Sequence, residues 1–527
     1  MNGPGGQPRQ RVIGPTASAW LPQVLALAAI AYWLVVKSVL FHRLEYTSDL
    51  FSNLELSRSF FDGRPLLWEN GFGDHKAIHN LYIAVLFYPF TRFLGAYGLF
   101  AAEAALYGWA IHKILSRASL LTDYRRELYW AVLAAIGLGP VAFWIWDNPI
   151  YGFHYELALV PLSALFAVSL SERSRWAWIF AALIVLTREE GAIVAWCIHV
   201  LHEVLNSEPG TGGLGARSAL LRRLAWITGT WLLVFIAGMA LLLAMGASHG
   251  RLGLALMGLR GLAEDSSTRS LLIESLGDAV LLLGTGGVVY LAGIPLRGLA
   301  ASAVVSLALI VPSSLGSLTY SGDAFRAHAI TWPPRFAMLW SVMLAGYLFA
   351  VERIRTPVFA ARRLRRTALA IAVAGSMIAQ VVALGARRNY QFVPRFTLQA
   401  FTSTPRFVAS ALSSAEDAFL ICLGRDLPSD ASVTSTGGLF GRFHRQDLLW
   451  PDRVQTAWKP PELVVCDDSR RIPWEYGCLS LSHSLPDSTH EKLQLDNLFV
   501  RYTSERKAVV EACAATAVPL PSRAEQR

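Results

Sequence analysis

The sequence predicts an α-helical polytopic membrane protein with a small C-terminal α/β soluble domain. Hydrophobic residues make up 54% of the 527 residues and charged residues only 16%, whereas soluble domains are nearer one quarter charged. Several apolar runs reach about 20 residues, the length of a transmembrane helix. From about Arg387 onward the composition changes to that of a soluble domain.

The apolar pattern predicts about eleven transmembrane helices. We place them at about 19–41, 97–116, 128–146, 154–171, 174–187, 191–205, 224–246, 276–295, 298–312, 336–351 and 367–386. The segment 78–95 is short and contains Pro89 and Arg92, so we interpret it as re-entrant or interfacial. The predicted transmembrane domain therefore covers residues 1–386, and its outer loop at 42–96 carries interfacial helices.

The distribution of basic residues predicts the orientation. The segment 352–366 contains six arginines, and loops rich in Lys and Arg lie on the cytoplasmic side. With eleven spans, this places the N-terminus in the cytoplasm and the C-terminus outside. The long apolar run Ala19–Phe41 argues against a cleavable signal peptide. Topology accounts for the net charge of +9, so we expect no nucleic-acid partner.

Residues 387–527 predict a soluble extracytoplasmic α/β domain. The stretches "LPSDASVTST" and "PELVVCDD" are typical of strands with turns beside them, and "SSAEDAFLICLG" is typical of a helix. This domain contains Cys422, Cys466, Cys478 and Cys513. An even number of cysteines permits disulfides in an oxidising compartment, and buried free thiols are the alternative.

The stretch "ALIVLTREEGAIVAW" places Arg188, Glu189 and Glu190 within an apolar run. They fall at a predicted outer turn between two segments of roughly 14 or 15 residues, which as helices extend about 21–23 Å. A bilayer core is about 30 Å thick, so we predict that the turn lies below the outer surface, in a protein-lined cavity. Short, interrupted helices indicate a binding site. The alternative is an ordinary hairpin whose charges reach the headgroups.

Other polar residues fall on the same predicted side. Asp49 begins an amphipathic stretch that predicts a helix along the interface, and an acid at this position also suits the start of a helix without any catalytic role. Further acids, histidines and arginines recur at the predicted outer ends of spans: Asp74, His75, Asp147, His154, Glu156, His328 and Arg335. A single histidine at an interface is usually only a satisfied polar contact, but the shared location of these residues favours a site.

Carboxylates, imidazoles and guanidinium groups together suit a divalent metal and a phosphate. Asp49, Asp74 and His75 are the candidate ligands of a divalent metal, Mg or Mn, and Arg188 and Arg335 are the candidate phosphate contacts. A carboxylate also serves as a general base toward a hydroxyl. The sequence has no P-loop, GxSxG or HExxH motif, which leaves ATP-driven pumping, lipase and zincin activities without support.

Four motifs resemble those of a bacterial membrane protein family, domain of unknown function 2079, over about residues 44 to 466. The matching residues, in order, are Asp49-Leu50, Gly73-Asp74-His75, His154-Tyr155-Glu156 and Arg188-Glu189-Glu190, the last in place of the family's Lys-Glu-Asp. His328-Ala329 lacks the tyrosine that follows the histidine in the family. "LPSDASVTST" also resembles the beginning of the family's C-terminal segment.

This family is similar in layout to GT-C glycosyltransferases. The resemblance implies inverting transfer of a sugar from a polyprenyl-phosphate donor to an acceptor on the outer side of the bacterial cytoplasmic membrane. It places Asp49 as the catalytic acid, with Asp74 and Glu156 as further catalytic candidates. Residues of the substrate site would be His75, His154, Arg188, Glu189, Glu190, His328 and Arg335. Many GT-C enzymes have two adjacent acids where this chain has Asp49-Leu50, which places a two-carboxylate metal site in doubt.

Two other functions use the same features. A transporter or flippase for a lipid-linked or anionic substrate would use the cavity without chemistry, and a membrane scaffold would use the outer domain to bind a partner. Inverted repeats would favour transport, and the sequence shows none. We therefore expect a membrane glycosyltransferase whose partners are the lipid-linked donor and membrane lipids.

Overall fold

In the computed structural model the described part of the chain is mainly helical and contains one two-stranded and one five-stranded sheet. The predicted helical chain with a small sheet region is confirmed at this level, and its apolar helices are consistent with a membrane protein. The structure describes residues 20–44, 46, 48–70, 73–77, 79–121, 123–146, 152–207, 214–245, 260, 264, 266–287, 333–354, 361–385, 412–449, 459–467 and 476–517.

The helices of the membrane part follow the apolar runs of the sequence. They are α1 (Leu21–His42), α2 (Ser48–Arg58), α3 (Ala84–Leu94), α4 (Ala96–Ser119), α5 (Asp123–Val132), α6 (Pro140–Trp146), α7 (Leu159–Ser171), α8 (Trp176–Thr187), α9 (Gly191–Asn206) and α10 (Leu214–Ala244), followed by Ser266–Gly287, Pro333–Arg353 and Arg362–Gly385.

The number of helices able to cross a membrane is smaller than predicted. Among the described residues, four helices are long and apolar enough: Leu21–His42, Arg217–Ala244, Arg335–Arg353 and Arg362–Gly385. A fifth results if Tyr124–Gly137 and Pro140–Trp146, which meet at a bend of 47°, form one span. The eleven predicted spans are therefore not confirmed.

The predicted span 97–116 forms α4 but is not among the candidate membrane-crossing helices. Two reasons account for the rest of the difference in number. The predicted spans at 154–171, 174–187 and 191–205 form apolar helices of at most 17 residues, which at 1.5 Å per residue extend less than about 26 Å. The predicted span 298–312 lies outside the described residues, as does the part of 276–295 beyond residue 287.

The bend before α6 has a local cause. A Cβ atom at Gly139 would overlap the carbonyl oxygen of Ala135, so only glycine permits this close approach. Pro140 then begins α6, because its fixed φ suits the first helical position and it needs no hydrogen-bond acceptor there.

Helices α8 and α9 form a hairpin whose turn carries the Arg-Glu-Glu motif. A Cβ atom at Gly191 would overlap the carbonyl oxygen of Ile184, so glycine allows the two helices to meet closely at the turn. Arg188 and Glu189 are buried there. The prediction of short helices with a charged turn between them agrees with this arrangement.

The outer loop contains α2, the antiparallel hairpin of β1 (Trp68–Glu69) and β2 (Gly73–Asp74), and α3. α3 has 11 residues, about 17 Å, which is too short to cross a bilayer core alone. The interpretation of 78–95 as re-entrant or interfacial agrees with this length. α2 packs against α3, and Ser57 Oγ donates a hydrogen bond to Thr91 Oγ1 at 2.9 Å.

The C-terminal domain is built on a five-stranded mixed sheet in the order β4-β3-β5-β7-β6. Its strands are β3 (Ser432–Ser435), β4 (Asp447–Leu449), β5 (Leu463–Asp467), β6 (Glu491–Gln494) and β7 (Leu498–Tyr502), and its helices are Ser414–Asp426, Tyr476–Ser484 and Lys507–Ala517. β3 is parallel to both β4 and β5, and β7 is antiparallel to β5 and β6. The first helix begins with a capping box between Ser413 and Glu416. The two strands and the helix predicted here are confirmed.

Two disulfides connect elements of this domain. Cys422–Cys513 joins the helices Ser414–Asp426 and Lys507–Ala517, and Cys466–Cys478 joins β5 to the helix Tyr476–Ser484. Of the two alternatives that the sequence left open, the structure has the disulfides.

The C-terminal domain packs directly on the outer loop. Asn70 Nδ2 donates to Asp447 Oδ1 at 2.9 Å and to the carbonyl oxygen of Leu448 at 2.7 Å. At the α3–α4 junction, Gly95 has φ +58° and a Cβ atom there would overlap the imidazole of His444. The domain is therefore fitted to the loop at contacts that tolerate little added volume.

Candidate functional site

Asp49 is positioned by a histidine from a distant part of the chain. It lies in the first turn of α2, and its Oδ2 is 3.3 Å from Nε2 of His154. Asn53, one turn later, donates to the carbonyl oxygens of Asp49 at 2.7 Å and Phe153 at 3.2 Å, which joins α2 to the segment carrying His154. The Asp49 side chain is 38% exposed, against 12% for His154. The carboxylate is thus both held and accessible.

His154 connects Asp49 to the buried charges behind it. Its Nδ1 lies 3.6 Å from Glu156 Oε2, and Glu156 Oε1 accepts a hydrogen bond from Arg188 Nη1 at 3.1 Å. The side chains of Glu156 and Arg188 are each only 4% exposed. A charge at this depth needs an opposite charge beside it, so the two residues depend on each other.

Arg188 is surrounded by three carboxylates. In addition to Glu156, its Nε lies 2.7 Å from Glu190 Oε2 and 3.7 Å from Glu189 Oε1. The sequence motif therefore folds back on itself at the α8–α9 turn, and the guanidinium group occupies the centre of the cluster.

Glu189 connects this cluster to the outer loop. His79 Nδ1 lies 2.9 Å from Glu189 Oε1, and the backbone N–H of Asn80 donates to Glu189 Oε2 at 3.2 Å. A backbone hydrogen bond from Ile83 N to the carbonyl oxygen of Leu186, at 2.8 Å, lies beside them. One continuous network thus runs from Asp49 through His154, Glu156, Arg188 and Glu189 to His79.

His75 lies next to this network, and Asp74 lies at its edge. The rings of His75 and His79 are 5.9 Å apart between centroids, and His75 Nδ1 is 3.6 Å from Glu69 Oε1. Asp74 is 3.3 Å from Lys76 Nζ and accepts a hydrogen bond from the Lys76 backbone at 3.1 Å. The Asp74 carboxylate thus contacts Lys76, two residues later in the chain, whereas Asp49 is held by the network.

The surroundings of His154 distinguish its role from that of Asp49. Its two ring nitrogens face carboxylates, Asp49 at 3.3 Å and Glu156 at 3.6 Å, and its side chain is only 12% exposed. Both nitrogens are therefore engaged inside the protein. The partly exposed Asp49 carboxylate is the better candidate for a general base.

The three predicted metal ligands are not gathered into one ligand group. Among the described residues, the group found whose ligand atoms lie within 4.8 Å of one another consists of Cys422, Asp426 and Cys513. Its two sulfur atoms are bonded to each other in a disulfide, so they offer no thiolate to a metal. Asp49, Asp74 and His75 instead contact His154, Lys76 and Glu69, respectively.

The remaining predicted site residues are distributed as follows. Arg335 lies near the beginning of the helix Pro333–Arg353, which packs against the 3-10 turn carrying Glu156. His328 and Asp147 lie outside the described residues.

A buried ion pair beside the site was missed in the sequence. Lys37 Nζ in α1 lies 2.8 Å from Glu103 Oε2 in α4 and donates to the carbonyl oxygens of Trp146 and Gly152, at 3.0 and 2.8 Å. The signal was present, because each of the two apolar runs contains one charge well inside it and such charges rarely lack a partner. Lys37 thus fixes both ends of the segment that leads to His154.

Comparison with protein-family models gives no match for this chain, and comparison with curated proteins gives no significant match. The resemblance to domain of unknown function 2079 therefore depends on the short motifs alone, five residues of which meet in the network: Asp49, His154, Glu156, Arg188 and Glu189.

Proposed function

We propose that this protein is a membrane glycosyltransferase with a GT-C-like layout, related to domain of unknown function 2079. It would transfer a sugar from a polyprenyl-phosphate donor to an acceptor hydroxyl. The observation that carries the proposal is the accessible Asp49 carboxylate, which His154 holds at the end of a buried charge network.

The proposed reaction uses Asp49 as the general base. Its carboxylate removes the proton of the acceptor hydroxyl while that oxygen attacks the anomeric carbon of the donor sugar. The bond between this carbon and the phosphate oxygen breaks, polyprenyl phosphate leaves with the electron pair, and the anomeric configuration inverts. Base catalysis of this kind contributes about 10²–10⁴-fold to the rate.

The buried residues would position Asp49 rather than contact the reacting atoms. Arg188 has three carboxylates around its guanidinium group, so we assign it the role of holding Glu156 and, through it, His154. We assign the donor phosphate to Arg335. No step is assigned to Asp74 or to a metal, because the predicted ligands are not gathered into one group.

The proposal places the site on the outer side of the bacterial cytoplasmic membrane. It includes the predicted eleven spans, a cytoplasmic N-terminus and an extracytoplasmic C-terminal domain. Two disulfides in that domain support this orientation, since disulfides persist mainly in oxidising compartments. Membrane lipids would surround the apolar helices, and the lipid-linked donor would reach the site from the bilayer.

A matched pair of variants tests the proposed reaction. Asp49→Asn and Asp74→Asn each remove one carboxylate charge from outer-loop side chains that are both 38% exposed. Membranes with each protein are given labelled polyprenyl-phosphate hexoses, and donor consumption and product are measured. Because an amide takes up no proton at neutral pH, Asp49→Asn should turn over at least about 100-fold more slowly. Asp74→Asn should retain most of the activity.

Three results would contradict the proposal. Wild-type turnover by Asp49→Asn would remove Asp49 from the reaction, and a loss confined to Asp74→Asn would move the base to Asp74. If the wild-type protein forms no glycosyl product while labelled lipid crosses vesicle membranes, the protein is a transporter.

A further inference from the structure

A cleft of roughly 360 Å³ lies between the outer loop and the C-terminal domain. Four of the nine residues that line it are cationic: Arg58, Arg64, Arg92 and Lys459. The first three belong to the outer loop, and Lys459 belongs to the C-terminal domain, so the cleft exists only where the two parts meet. It is separate from the Asp49 network, none of whose residues line it.

The positive charge in the cleft is only partly compensated. Arg64 pairs closely with Asp447, at 2.7 Å, but Arg58 and Arg92 share a single carboxylate, Asp62, at distances of 4.0 and 3.9 Å. These long contacts are weak compared with a close ion pair. The outer-loop side of the cleft therefore keeps unsatisfied cationic donors.

Arg58 shows this most clearly. Its side chain is only 14% exposed, and its two terminal nitrogens donate long hydrogen bonds of 3.3 and 3.5 Å to the carbonyl oxygens of His444 and Arg445. Its Nε is buried and donates no hydrogen bond to any residue that the structure describes. A mostly buried guanidinium whose contacts are long, with one donor lacking a hydrogen bond, is suited to an anion in the neighbouring cleft.

The other lining residues suit a sugar. Phe61 is 45% exposed and its ring is stacked on Tyr88, with centroids 3.7 Å apart and planes at 14°. This contact fixes an aromatic surface beside the arginines. Asp62 and Asp430 supply carboxylate oxygens that can accept hydrogen bonds from hydroxyl groups. Cations, carboxylates and an aromatic ring together match a polyhydroxylated ligand that carries a negative charge.

We infer that this cleft binds an anionic saccharide, a sugar bearing a phosphate or a carboxylate, with Arg58, Arg92 and Lys459 facing the charge and Phe61 packing on the ring. α2 connects the two sites, because Asp49 is near its first residue and Arg58 is its last. Nine residues of helix separate them by about 14 Å. The inference depends on the proposed function only in making this saccharide part of the acceptor.

Calorimetric titration of the full-length protein in detergent at low salt tests the inference. The ligands are glucose 6-phosphate, glucuronate, glucose and inorganic phosphate. We expect at least one of the two charged sugars to bind more tightly than glucose and more tightly than phosphate. Which of the two binds identifies the anionic group.

The variants Arg92→Ala and Lys459→Ala probe the cleft. The Arg92 side chain is 57% exposed, so its removal should leave the fold intact. The control is Arg425→Ala, which removes the same charge from a 71% exposed arginine of the C-terminal domain that does not line the cleft. Each cleft variant should weaken binding of the charged sugar at least about fivefold, because each loses a charge-assisted contact, and the control should not.

Binding by the Asp49→Asn variant distinguishes this inference from the proposed reaction. Asp49→Asn should bind the charged sugar with wild-type affinity even though it does not transfer, because Asp49 does not line the cleft. Equal affinities for the charged sugars and glucose, or unchanged binding by both cleft variants, would overturn the cleft assignment whatever the activity. Phosphate binding as tightly as glucose 6-phosphate, with no binding of glucuronate, would overturn its specificity for a saccharide.

Discussion

Replacing Arg188 by methionine should strongly destabilise the protein. Methionine has a similar length but no charge, so the change leaves Glu156, Glu189 and Glu190 close together without their shared cation. Removing one partner of a buried ion pair costs about 3–5 kcal/mol of unfolding free energy. Because three acids lose their partner here, and Glu156 and Glu189 are nearly inaccessible to water, we expect a loss toward the upper end of that range.

A double-mutant cycle with Glu156→Gln measures the pair itself. The amide keeps the size of Glu156 and removes its charge, while Arg188 retains Glu189 and Glu190, so this change alone should cost about 1–3 kcal/mol. In the double variant fewer carboxylates face each other. The combined loss should therefore be smaller than the sum of the two single losses, with a coupling of about 1–3 kcal/mol.

Unfolding in mixed detergent micelles, followed by circular dichroism, gives the four free energies. Arg425→Met is the control, because this arginine is 71% exposed and forms its ion pair with the adjacent, exposed Asp426; its loss should stay within about 1 kcal/mol. An Arg188→Met protein within about 1 kcal/mol of wild type would refute the buried-network reasoning. Additivity of the two single losses would show that Glu156 and Arg188 do not stabilise each other.

Two further predictions concern the interface and the topology. Gly95→Ala should destabilise the protein more than Gly63→Ala. Both glycines have positive φ, but only at Gly95 would the added methyl group overlap the C-terminal domain. Equal melting temperatures of the two variants would contradict that contact. A reporter fused after Arg527 should be active only outside the cytoplasm, and cytoplasmic activity would overturn the proposed orientation.

The sequence predicted which residues belong to the candidate site better than it predicted which residues contact one another. Charged residues inside apolar runs must find partners, which is why the Arg188 turn could be expected to lie at a polar cluster. The prediction that Asp49, His154 and Glu156 share one side of the membrane agrees with a structure in which they are in contact. The turn signals beside the stretches around Val433 and Val464 also predicted two strands there.

Other features depend on the tertiary structure. The partner of Asn70 is Asp447, 377 residues away, and no local pattern indicates such a pair. Eleven spans are not confirmed, because hydropathy measures the apolar content of a segment but not whether its helix is long enough to cross a bilayer core. The helix α8, for example, has only 12 residues, which extend about 18 Å.

The contact between the outer loop and the C-terminal domain has a consequence for biogenesis. Arg58 is synthesised early, whereas the carbonyl oxygen of His444 that it contacts follows 386 residues later. At about 5–20 residues per second, translation needs roughly 20 to 80 s to cover that distance. During this interval the buried polar groups of the loop lack their final partners. The ribosome must almost finish the chain, and the last domain must be delivered to the same side, before the first loop can mature.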